Sequence, residues 1–158
     1  MRDQLDAKDQ LILEILQNDS TISVKDIGEK IGLSFTPTYE RIKNLERNGV
    51  IKKYVALVDR FKIGVEIVVY CNVTLKEQSK EALDEFERII TPIPQVLDVI
   101  SLSGNYDYML KIVANDIRSY NDFVVNIISN IPNIGQYHSS IVMNECKKET
   151  AYPFGIKE

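Results

Sequence analysis

Apolar residues recur along the first fifty positions at the three- and four-residue spacing of helices. Ile12, Leu13 and Leu16 form the first such stripe, Val24, Ile27 and Ile31 the second, and Ile42 and Leu45, joined by Thr38, the third. Polar punctuation frames each stripe. Asp6 reads as an N-cap with Asp9 in the first turn, and Asn18-Asp19-Ser20 ends the first helix. Ser23 opens the second with Asp26 three residues on, a capping box with Asp in the usual Glu place, and Gly32 is its natural stop. The third starts at Ser34 or Thr36, carries Pro37 in its first turn and runs to Asn48, with Gly49 as terminator. Three helices in this order, with so short a turn before the third, predict a helix-turn-helix.

Beyond residue 50 the period changes. Ile51–Val58 reads as a strand leaving the third helix, and residues 59–64 as a connector. Then come a strand (Glu66–Leu75), a helix (Ser79–Ile90), strands at Val96–Ser101 and Tyr106–Ala114, a helix (Ile117–Ile131) and a last strand (Gly135–Cys146). Ile89-Ile90-Thr91-Pro92-Ile93-Pro94-Gln95-Val96 matches Ile127-Ile128-Ser129-Asn130-Ile131-Pro132-Asn133-Ile134 at an offset of 38 residues. Two β-α-β copies make a βαββαβ ferredoxin-like sandwich, so the fold class is α+β. The expected division is a winged or helix-turn-helix domain over 1–58, a linker over 59–64, a sensing and oligomerisation domain over 65–149, and a tail over 150–158. Such a sandwich leaves one sheet face open. Val68, Tyr70, Tyr106, Tyr108 and Leu110 are expected to make that face apolar and to have it covered in a homodimer.

Charge sharpens the first domain. The chain carries 19 basic and 23 acidic residues, a net −4. Residues 35–53 hold five basic side chains (Arg41, Lys43, Arg47, Lys52, Lys53) against Glu40 and Glu46, so this segment alone is basic, at +3. Phosphate attraction is local at physiological salt, so the asymmetry outweighs the total. Thr36, Glu40, Lys43, Asn44 and Arg47 fall opposite the apolar side of the third helix, with Pro37 and Tyr39 on the flanks. Thr36, Pro37, Tyr39 and Glu40 are the expected base readers, and Lys43, Arg47, Lys52 and Lys53 the phosphate holders. Ser34, Thr38 and Asn44 complete the predicted DNA-binding set. A solvated polar helix face is the plain alternative.

Other chemistry finds little support. Cys71 and Cys146 are too few for a disulfide framework, His138 is the sole histidine, and no Cys/His spacing suits zinc. Cys71 and His138 lack an orienting third group for nucleophilic catalysis, and single glycines make no phosphate loop. No cofactor is expected and no enzyme reading survives. Without an export signal or a membrane-length apolar run, the expected compartment is the cytoplasm.

The ordered motifs resemble the leucine-responsive regulatory protein (Lrp/AsnC, feast/famine) family of transcription regulators. The residues that carry the likeness are Leu5-Asp6-x-x-Asp9 with Ile12-Leu13, Gly32-Leu33-Ser34, Glu40-Arg41-Ile42-x-x-Leu45-Glu46 with Gly49-Val50-Ile51, Ser103-Gly104-Asn105-Tyr106-Asp107-Tyr108, and Ser139-Ser140-Ile141-Val142-Met143. The resemblance implies binding of double-stranded operator DNA as a dimer, and assembly of dimers into octamers or other even-numbered rings. It also implies a free amino acid as effector, held between dimers near Gly104, Asn105, Tyr106 and Asp107, with Ser101, Ile117, Ser139, Ser140, Ile141 and Val142 alongside. Asn105 departs from the acidic residue common there. In this loop Gly104 permits close backbone approach, and Asp107 is expected to accept from an α-ammonium. The alternative function is an RNA-binding or ligand-binding ferredoxin-like module, with Tyr70, Tyr106 and Tyr108 as stacking platforms. The tail is read only as offering Tyr152 and Phe154 to a neighbouring molecule.

Overall fold

The computed structural model describes residues 5–154, so the first four residues of the expected head and the last four of the expected tail lie outside it. The chain separates into two compact units. One holds Met1–Leu57 together with Lys147–Glu158, and the other holds Val58–Cys146.

In the first unit, α1 (Ala7–Asn18), α2 (Val24–Ile31) and α3 (Phe35–Arg47) pack around Ile12, Leu13, Ile27, Ile31, Ile42 and Leu45. The Asp6 side chain accepts from the Asp9 amide at 2.8 Å and the Asp9 carboxylate accepts from the Asp6 amide, a reciprocal box that opens α1. Ser23 accepts from the Asp26 amide, but Asp26 returns to the Ser23 hydroxyl at 2.7 Å rather than to its backbone. Gly32 ends α2 in the left-handed conformation at φ 69°, where a side chain would be strained. The turn that follows is drawn tight by two bonds: Leu33 N–H donates to the Gly28 carbonyl, and the Thr38 hydroxyl donates to the Ser34 carbonyl at 2.9 Å. Gly28 has a different reason for being glycine. A Cβ there would meet the Leu33 carbonyl oxygen at 2.7 Å and the Thr38 hydroxyl at 3.0 Å.

The last described residues belong to this unit. The Gln17 side-chain amide donates to the Tyr152 carbonyl at 3.1 Å while its oxygen accepts from the Tyr152 N–H at 2.7 Å. Phe154 then packs against the helical core. Both residues therefore dock on their own head, where the sequence suggested a neighbouring molecule. Residues 51–58, expected as a strand, have no ladder partner and are irregular, because a lone extended segment gains no hydrogen bonds by being strand-like.

The second unit is a four-stranded antiparallel sheet, β1 (Ile67–Leu75), β2 (Val96–Ser101), β3 (Tyr108–Ala114) and β4 (Ile134–Ile141), in the order β2-β3-β1-β4. Helices α4 (Lys80–Ile90) and α5 (Ile117–Asn126) cover one face through Phe86, Ile90, Tyr120 and Phe123. The α+β ferredoxin-like architecture is thus as expected, with local differences. The second helix of the repeat breaks at Asn126 and resumes as a 3-10 turn over Ile128–Asn130, β3 begins at Tyr108, and β4 ends at Ile141.

The open face is composed differently from the expectation. Tyr70 pairs across to Lys111 and Asn72 to Met109, which puts Met109, Lys111, Tyr70 and His138 on the uncovered side. Tyr108 and Leu110 have the opposite parity and are buried under the helices. Tyr108 meets the Phe86 ring at 4.7 Å and donates to Glu87 at 2.8 Å. One residue of register moves a whole strand's side chains to the other face. Burial, and then the Glu87 bond, hold the Tyr108 hydroxyl well above the usual phenol range. Of the three tyrosines expected there, Tyr70 lies on the open face, Tyr108 is buried under the helices, and Tyr106, just ahead of β3, meets the ring of His138.

Candidate nucleic-acid interface and effector loop

Helix α3 is fixed to α1 by Arg41, whose guanidinium reaches Asp6 at 2.6 Å and Asp9 at 2.7 Å. The two carboxylates that cap α1 thereby aim α3, a role not assigned from the sequence. The Asp9 amide and then Arg41 hold the Asp6 carboxyl below its ordinary value of 3.8. A depressed folded value means that the stabilisation is complete above 3.8 and is lost as pH falls through the lower folded value. Thermal melts followed by circular dichroism should therefore show the head losing stability on acidification through this window. Asp6→Asn should remove part of that pH dependence, and a variant whose profile overlays the wild type would refute it.

The outward side of α3 presents Thr36, Pro37, Glu40, Asn44 and Arg47 to solvent, with Lys43 half-buried and Lys52 and Lys53 exposed just beyond the helix. Thr38 does not join them. It is fully buried at 0% exposure and bonded to Ser34, so its placement among the DNA-contacting residues is corrected to a core one. Ser34 is the N-cap residue, yet its hydroxyl makes no capping bond; its carbonyl serves Thr38 instead. Lys43 ion-pairs with Glu46 at 2.6 Å and sits 5.7 Å over the Tyr39 ring. Glu46 also accepts from Tyr54 at 3.0 Å, and desolvation followed by this bond pushes the Tyr54 hydroxyl up to about 12. Arg47 donates to Asn44 at 2.6 Å, remains 67% exposed, and lies 3.9 Å from Glu40. Arg47 also donates to the Lys43 carbonyl at 3.3 Å, so every one of these contacts lies within α3.

In the second unit, Gly104 adopts φ 125° with open space around it, and Asn105 is exposed. Asp107 anchors the loop. Its two oxygens accept from the Leu75 N–H at 2.7 Å and from the Gln78 side chain at 2.8 Å, and its own N–H donates to the Val73 carbonyl. Tyr106 meets the His138 ring edge-on at 5.7 Å. His138, Lys76, Asn133 and Gln136 help to line a cavity of about 700 Å³, whose wall is otherwise formed by residues 128–137.

The predicted effector residues fall into two groups on one chain. Ser101 pairs with Tyr108 at the Gly104 end, whereas Ile141 pairs with Val69, which pairs with Ile112. Four residues of strand separate these levels, about 13 Å. Ser140, Ile141, Val142 and Ile117 are thus brought to the far end of the sheet and not to the loop. Ser139 lies between, its hydroxyl 2.5 Å from that of Tyr120 and in contact with the Cys71 thiol. Among the described residues no cluster of His, Cys, Asp and Glu is placed to hold a metal ion, and no helix is long and apolar enough to cross a membrane.

Comparison with known proteins gives this geometry its setting. Residues 5–52 match the model of a winged helix-turn-helix DNA-binding domain, and residues 68–152 match that of the Lrp/AsnC ligand binding domain. The chain belongs to the Lrp/AsnC family. It is 38% identical to the transcriptional regulator AzlB of Bacillus subtilis, over 94% of this chain and 95% of that protein. Its fold superposes on an AsnC family transcriptional regulator from Agrobacterium tumefaciens with a TM-score of 0.89 at 36% identity, covering 94% of this chain and 96% of the other. A transcriptional regulator from Neisseria meningitidis, solved as a complex with L-methionine, superposes with a TM-score of 0.91 at 27% identity over 96% and 98% of the two chains. The protein is a DNA-binding transcription regulator with a ligand-binding domain, and its relatives are regulators, not enzymes.

Proposed function

We propose that this regulator reads a partly palindromic operator through paired α3 helices and that a free amino acid controls its assembly or its grip on DNA. The observation that carries the reading is the solvent-exposed outward side of α3, with Arg47 on it and Lys52 and Lys53 just beyond, in the one basic segment of an otherwise acidic chain. Thr36, Pro37, Tyr39 and Glu40 read bases, while Ser34, Lys43, Asn44, Arg47, Lys52 and Lys53 position the phosphates. The L-methionine complex of the Neisseria relative supports an amino acid as the ligand class.

Ser101, Gly104, Asn105, Tyr106 and Asp107 form one wall of the effector site. Ile117, Ser140, Ile141 and Val142 lie too far along the same sheet to complete it, and Ser139 stands between the two levels, which favours a second copy as the source of the other wall. This calls for a homodimer assembling into an octamer or another even-numbered ring, acting in the cytoplasm. The functional division follows 1–58, 59–64 and 65–149, with the tail counted with the head.

The test is selection of bound duplexes from a random library by the full chain, with and without an amino-acid mixture. One enriched half-palindromic motif, altered in affinity by amino acids, is the expected result; no enrichment refutes operator reading. On the selected duplex, Arg47→Ala should weaken binding to all sequences alike and lower the log–log salt slope by about one. Unchanged affinity and slope would remove Arg47 from the phosphate contacts.

A further inference from the structure

A large aromatic ring faces water at the start of the reading helix. Phe35 is the first residue of α3, and its side chain is 56% exposed, although the helical core lies immediately beside it. Tyr39, one turn later, is 40% exposed, and the two rings stack with centroids 6.1 Å apart and planes inclined by only 10°. The row continues to Lys43, whose ammonium sits over the Tyr39 ring. Positions 35, 39 and 43 are successive i, i+4 neighbours, so they form one stripe down the flank of α3, next to Thr36 and Glu40 on its outward side.

Exposed singly, a Phe needs no explanation. This pair differs in being pre-ordered and in where it stands. Stacking and the lysine above restrict both rings before any ligand arrives, so little rotamer freedom remains to be lost on contact. The stripe adjoins polar groups suited to base edges, at the end of α3 that enters deepest in a helix-turn-helix complex. The remaining apolar feature on a major-groove base edge is the C5-methyl group of thymine, and aromatic carbon is a suitable partner for it.

We infer that Phe35, braced by Tyr39, is a specificity-determining residue that recognises the 5-methyl group of thymine in each operator half-site. The inference rests on operator reading by α3 and adds a base preference to it. Phe35 packs on the methyl group and expels water from both, while Tyr39 keeps its neighbour's ring from rotating away. Nothing in this contact needs a hydrogen bond. The preference is therefore for a methyl group, and 5-methylcytosine is the other base that offers one.

The probe is the duplex selected by the full chain, resynthesised with deoxyuridine in place of each thymidine in turn. Uracil keeps every Watson–Crick and groove hydrogen-bonding group and removes only the methyl. At one or two positions per half-site, uracil should weaken wild-type binding about fourfold, the worth of one buried methyl-sized group. Phe35→Ala should bind the thymine and uracil forms alike. Phe35→Leu, which keeps an apolar side chain should the alanine variant fail to fold, should retain part of the discrimination. A third duplex, with 5-methylcytosine·guanine at the same position, separates the methyl from the rest of the base: recovery over unmethylated cytosine there supports methyl contact. Wild-type binding indifferent to uracil at all positions overturns the inference while leaving operator reading intact. So does a Phe35→Ala variant that still discriminates. A library from which nothing is enriched overturns operator reading and this inference together.

Discussion

Gly28→Ala should destabilise the head and weaken DNA binding more than tenfold, although alanine is the better helix former. The substitution gains about 1 kcal/mol in helix propensity. Against this, its Cβ would stand 2.7 Å from a backbone carbonyl oxygen and 3.0 Å from a buried hydroxyl that is already bonded. Neither atom is the free end of a flexible chain, so the turn between α2 and α3 must open or α2 must shift. Such overpacking costs about 2 to 3 kcal/mol, which leaves a net loss and a misplaced reading helix. Gly49→Ala is the contrasting variant: its φ of 70° is strained for alanine, but no atom lies within 4 Å. It should lower the melting temperature modestly and leave selected-duplex affinity close to wild type. A Gly28→Ala protein as stable as wild type would show that the close approach is not tight in solution.

Asp107→Ala should abolish amino-acid binding measured by calorimetry, and Asp107→Asn should largely preserve it. The carboxylate spans a place where β1 and β4 slip out of register, accepting the Leu75 amide that would otherwise be unsatisfied. Removing the acceptor exposes a cost of about 1 to 3 kcal/mol and frees the Gly104 loop. Asparagine keeps an oxygen for Leu75, and its amide can donate to a rotated Gln78. If the asparagine variant fails as badly as alanine, the negative charge itself serves the ligand, as an α-ammonium would require. That outcome would return Asp107 from shaping the loop to contacting the effector.

Local chemistry was the most readable part of the chain. Asp6, Ser23 and Gly32 act within a turn of themselves, so their caps were visible without any tertiary knowledge. The repeat around Pro94 and Pro132 was sufficient to order the strands. Facing was not readable for β3. Tyr108-x-Leu110-x-Ile112 alternates as well as Met109-x-Lys111 does, and only pairing with Tyr70 and Asn72 decides which set shares the uncovered side. Residues 51–58 carry strand-forming side chains, but a strand needs a partner and one chain supplies none there. By spacing Thr38 fits the inward stripe and by residue type a DNA contact; its burial leaves only the first. In sequence an aromatic beside an apolar stripe reads as core, and only its exposure makes Phe35 a surface feature. Arg41 and Gln78 act across 32 and 29 residues of sequence respectively, beyond any local pattern.

The head is discontinuous along the chain: Gln17 is joined to Tyr152, and Phe154 completes the packing around α1. During translation the three helices leave the ribosome first, but Phe154, half-buried against their core, emerges only after the whole sheet domain has been made. Domains that fold in order from the N-terminus gain competence as they appear. This one must wait, so a nascent chain carries a reading helix whose support is unfinished until the sheet domain that is to govern it has been synthesised.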